Sequence, residues 1–161
     1  MDRPGNPLAT LEYIIENGGT AWRLAKLRER TYPLHVQSME KSLSGPYTEK
    51  VTARIKLKES TINVTYTLKT GQPFIEIEIE TMWLEVGSGE KGTPTLRIQF
   101  PFAIENAHAR YEIPYGSIER KLNAGEEVPA LRWADVAGTQ LGTDKEVSCT
   151  LLNDCKYGHS L

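Results

Sequence analysis

VTARIKLK at 51–58, TINVTYTL at 61–68 and FIEIEIETMW at 74–83 decide the fold of this chain. Each alternates apolar and polar side chains with period two, so that an extended backbone sends one set to one face and the other set to the opposite face. The inner set is Val51, Ala53, Ile55 and Leu57, then Ile62, Val64, Tyr66 and Leu68, then Ile75, Ile77 and Ile79. The outer set is Thr52, Arg54, Lys56 and Lys58, then a Thr-rich row, then Glu76, Glu78 and Glu80. Three such segments in succession make a meander whose basic and acidic rows share a face, two strand spacings of about 4.8 Å apart. A strictly alternating charge row marks a solvated sheet face far more often than a metal or substrate site.

Outward from this meander the signals remain β. Gly87 to Thr93 superficially resembles a phosphate-cradling loop, but Lys91 precedes Gly92 and Pro94 leads into a strand, so it reads as a hairpin loop. Leu96, Ile98 and Phe100 give a further inward face, as do Ala109, Tyr111 and Ile113, and Glu146 to Asn153 alternates as the last strand. Upstream, DRPGNP is a lead-in broken by two prolines. Leu11 to Ile15 is a short apolar run closed by a turn at 16–19, Thr20 to Arg28 permits a strand, and Leu34 to Leu43 fits no single period. With eight or nine strands and no amphipathic helix, the class is all-β and the architecture an antiparallel β-sandwich. The length of 161 residues suits one domain over 1–161, with 1–10 as a flexible lead-in.

Composition narrows the partners. Apolar content of 39% and charged content of 25% are those of a globular chain, and the net charge of −2 offers no broad field for nucleic acid or anionic membrane. No apolar run is long enough to span a bilayer and the N-terminus lacks an apolar leader, so the cytoplasm is expected. Cys149 and Cys155 are then two reduced thiols, and Asn63-Val64-Thr65 is no glycosylation acceptor.

The stretch YEIPYGSIERKLNAGEEVPALRWAD, 111–135, departs from this regularity. Pro114, Gly116, Gly125 and Pro129 are irregularly spaced among charged and aromatic residues, the composition of a long functional connection. Taken with LLNDCKYGH at 151–159, and with TAWRLAK at 20–26, the ARIKL strand and the WLE of the central sheet, it resembles the C-terminal β domain of the family 38 α-mannosidases. The resemblance implies a galactose-mutarotase-like supersandwich, of which this chain supplies the first part. It also implies a missing N-terminal barrel, where such enzymes hold a divalent metal, usually zinc, and their catalytic carboxyls.

No catalytic or metal residue is assigned in this chain. His35, His108 and His159 stand isolated. A glycosidase needs two carboxyls about 5 to 9 Å apart, and Glu126 and Glu127, adjacent in sequence, point apart on an extended chain. The groups suited to sugar hydroxyls are Arg120, Arg132, Asp135, Asn153, Asp154 and Lys156, with Trp133, Tyr111, Tyr115 and Tyr157 as flat faces. Several have plainer readings: Trp133 as core, Arg132 with Asp135 as a bracing ion pair, Asn153-Asp154 as a turn. Three roles follow: a non-catalytic mannosidase β domain working with a barrel polypeptide, a free-standing module for mannose-containing glycans, or a structural piece assembling through open sheet edges into a homo-oligomer.

Overall fold

The computed structural model describes residues 9–17, 26–31 (backbone only), 34–120, 127–154 and 157–160. The lead-in at 1–8, most of TAWRLAK, and the turn beyond Asn17 lie outside the described residues. Thirteen strands and no helix occur among those described. They fall into two compact units divided between Phe100 and Pro101. The chain is all-β and antiparallel, a β-sandwich.

In the first unit, β1 (Thr10–Asn17) lies between β2 (Lys26–Thr31) and β7 (Thr93–Gln99). A second sheet runs in chain order through β3 (Val36–Ser44), β4 (Thr48–Leu57), β5 (Ser60–Lys69) and β6 (Ile75–Met82). The meander stands as its alternation requires. Arg54 is opposite Asn63 and Asn63 opposite Glu80, so the basic and acidic rows do share one face. Hydroxyls stitch that face, Ser42 to Thr52 and Thr52 to Thr65 at 3.0 Å each.

On the inner face Ile55, Leu57, Ile62 and Val64 pack against Leu11, Tyr13 and Ile15 of β1, which closes the sandwich. Each such aliphatic side chain stabilises the fold by about 1.5–3 kcal/mol. The four-stranded sheet outruns its cover. Leu68, Ile75 and Ile79 keep the expected inner position yet are exposed, as are Val36 and Met39 on β3. The ambiguity of Leu34 to Leu43 follows from this, because β3 is an edge strand exposed at every residue and carries no burial period.

Two details were not legible. β1 is buried on both faces: Glu12 is 0% exposed, and Glu12 and Glu16 lie 3.8 and 3.7 Å from the Arg97 guanidinium. The WLE segment acts as a clasp. Trp83 packs near Tyr13, ring centres 6.2 Å apart, while the Glu85 carboxylate accepts the Ser60 hydroxyl at 2.8 Å and the Ser60 and Glu59 N–H groups at 3.2 Å. It thereby ties down the turn between β4 and β5. The glycine-rich 87–93 stretch is a hairpin as read, closed by a Ser88–Gly92 bridge.

The second unit holds β8 (Ile104–Ile113), β9 (Gly116–Arg120), β11 (Trp133–Gln140) and β12 (Glu146–Leu152) in the order β12-β11-β8-β9. A two-stranded ribbon pairs β10 (Glu127–Pro129) with β13 (Gly158–Ser160). Its core is Ala109, Tyr111, Ala130, Ala134 and Val136. The 111–135 stretch is therefore not one long loop. Pro114 and Tyr115 form a two-residue turn between paired Ile113 and Gly116. The rest, apart from 121–126 outside the described residues, is mostly strand.

Candidate functional site

Three segments that sequence reasoning singled out come together in the second unit: the β8–β9 hairpin, residues 127–135 and residues 151–160. Backbone bonds hold them. The Ala130 N–H donates to the Tyr157 carbonyl at 2.9 Å, the Leu131 N–H to the Glu112 carbonyl at 3.1 Å, and the Asn153 N–H to the Arg132 carbonyl at 2.7 Å. The Glu112 carboxylate also accepts the Arg132 N–H at 2.6 Å. Irregular residues 130–132 are thus pinned between a strand end and the C-terminal segment, which satisfies backbone groups that no sheet ladder reaches.

The sheet then divides the candidates between its two faces. Arg120 is opposite Ala109 and lies on the core face with Tyr111. Its guanidinium sits 5.6 Å from the centre of the Tyr111 ring and donates to the Pro129 carbonyl at 2.5 Å. His159 meets the same ring edge-on, centres 6.2 Å apart. Burial holds its imidazole below the ordinary value, and its Nε2 is buried with no hydrogen-bond partner among the described residues. Burial likewise raises the Tyr111 phenol, against the opposing pull of Arg120.

Trp133 and Asp135 alternate with the buried Ala134 and Val136 and so belong to the other face. There Asp135 accepts the Thr150 hydroxyl at 2.6 Å, directly across the ladder. Burial and the Asp135 charge both push the neighbouring Cys149 thiol up, so it is a free but unactivated cysteine. Arg132, Asp154 and Tyr157 are exposed and Asn153 half-buried, while Lys156 and Cys155 lie outside the described residues. The described candidates are neighbours along the backbone, and the sheet sets Arg120 on one face and Trp133 and Asp135 on the other. Sequence reasoning set His159 aside as isolated, and only the pairing of β13 with β10 brings it to Tyr111.

Among the described residues no group of three or more His, Cys, Asp or Glu side chains could hold a metal. No described helix is long and apolar enough to cross a membrane.

The described residues form antiparallel β-sheets in two units, the second with a polar end braced by backbone bonds. The chain belongs to the glycosyl hydrolases family 38 C-terminal domain family, whose profile matches residues 6–161. It is similar to alpha-mannosidase 2C1 of Homo sapiens and of Mus musculus, 32% identical to each over 101 residues. That similarity covers 58% of this chain and 9% of each relative's length. No solved structure matches.

Proposed function

We propose that this chain serves as the C-terminal β domain of an α-mannosidase, contributing structure and positioning to a catalytic barrel carried elsewhere and hydrolysing no glycoside alone. The observation that carries the reading is the family match across residues 6–161. The cross-braced end of the second unit supports it. Residues 130–132 are held by Glu112 and Tyr157, a rigid edge suited to seating a partner and not an open catalytic cleft. The implied partner is a barrel polypeptide with its own metal. The free Cys149 thiol suits a reducing compartment, and we place the protein in the cytoplasm.

The test is hydrolysis of an aryl α-mannoside by the purified chain with zinc supplied, then by the chain together with a separately expressed family 38 barrel. The expected result is no turnover alone and restored or increased turnover with the barrel. Turnover by the chain alone overturns the non-catalytic part, and a barrel indifferent to the chain overturns the positioning role.

A further inference from the structure

We propose that the end of the first unit where the β3–β4 turn meets the β5–β6 turn is a second, saccharide-binding surface centred on Tyr47. The choice of sugar class rests on the glycosidase-family reading above; the surface itself rests on geometry.

The two turns are laced together. The Thr70 N–H donates to the Tyr47 carbonyl at 2.9 Å and the Thr70 hydroxyl to the Pro46 carbonyl at 3.1 Å. The Gly45 N–H closes its own turn on the Thr48 carbonyl at 3.1 Å. Between the turns lies an open cleft of about 320 Å³, lined by Pro46, Tyr47, Glu49, Leu68, Lys69 and Thr70. This is at the lower end of the size of small-ligand sites.

Tyr47 is 76% exposed although its turn is braced, and Leu68 is 53% exposed although it occupies an inner-face position. In register Glu49 lies beside Leu68 and Leu68 beside Ile75, so a carboxylate and two exposed apolar side chains form one row beyond the cover of β1.

A pyranose presents the same mixture in complement, an apolar C–H face and a rim of hydroxyls. The Tyr47 ring and Leu68 offer the flat apolar floor, and the Tyr47 hydroxyl, Thr70 and Glu49 offer the polar rim. The Glu49 carboxylate is already oriented by the Lys41 ammonium at 2.8 Å, which also holds its carboxyl below the usual range, so it stays an acceptor. Lys69, the cation among the residues lining the cleft, is matched by Glu76 at 2.6 Å, and Lys41 beside it by Glu49. The cleft therefore carries no surplus charge for a phosphate or a carboxylate, and a neutral polyol is the ligand that fits.

The experiment is a titration of the isotope-labelled full chain with methyl α-mannopyranoside and with an α-linked mannobiose, followed by amide chemical shifts. Saturable shifts are expected at Tyr47, Glu49 and Thr70, with the disaccharide binding more tightly. Tyr47→Ala removes an exposed ring, so it should leave the unfolding midpoint unchanged and weaken binding about tenfold. The proposal is overturned if shifts do not saturate or map elsewhere, if Tyr47→Ala binds like the wild type, or if cyclohexanol reproduces the same shifts. Any of these leaves the barrel-dependence test standing, because that test reads turnover and not sugar affinity at this cleft.

Discussion

Arg97 stands beside two buried carboxylates. Glu12 is wholly buried and Glu16 nearly so, and both carboxylates lie within 4 Å of its guanidinium. Taking a cation away from beside two buried carboxylates is costly, so Arg97→Ala should lower stability by up to about 3–5 kcal/mol in urea unfolding. A loss under about 1 kcal/mol would mean that solvent or another group already balances the carboxylates. Tyr115 illustrates the opposite case. It is fully exposed at φ +65°, a conformation that disfavours any residue with a Cβ. Tyr115→Gly should therefore leave stability unchanged or raise it by up to about 1 kcal/mol, and a clear loss would mean that the ring makes a contact in solution. His159 sets a pH dependence. Burial keeps its folded value below 6.5 and so favours the neutral ring. Its contribution is complete above that pH and is lost as the pH falls through the lower folded value. Urea-derived stability should accordingly fall as the pH drops through and below 6.5 in the wild type, and fall less in His159→Gln.

Legibility varied from strand to strand for physical reasons. β4, β5 and β6 announce themselves because large β-branched residues alternate with charge over a half-buried sheet. β11 occupies an interior position in its sheet yet hides in WADVAGTQ, because its inward side chains are Ala134, Val136 and Gly138. Small residues are required there. An added Cβ at Gly138 would stand 2.5 Å from the Glu105 carbonyl, where β8 bulges through left-handed Asn106. Gly138→Ala should cost about 1–3 kcal/mol in a thermal melt, with Gly116→Ala, which meets nothing, as the mild control. The site was legible as three segments but not as a geometry. Which face Arg120 and Trp133 occupy depends on register and on that bulge, neither of which composition reveals. The Glu85 clasp was equally invisible, since its partners Glu59 and Ser60 lie 26 and 25 residues away. Glu85→Ala should cost about 2 kcal/mol by freeing a buried hydroxyl and the turn beside it.

At the level of the whole molecule, the free margin of β6 bears on whether copies could pair edge to edge. It reads Ile-Glu-Ile-Glu-Ile-Glu, and among the described residues no strand pairs along its far side. Two copies approaching antiparallel with matched faces would set Glu78 against Glu78 and Glu76 against Glu80, a like-charge meeting that cancels the appeal of open hydrogen-bonding groups. The acidic row thus acts as a dispersant. A Glu76, Glu78 and Glu80 to Gln triple variant should scatter more light than the wild type in concentrated samples at the same pH, and a variant as clear as the wild type would mean that this margin does not keep copies apart.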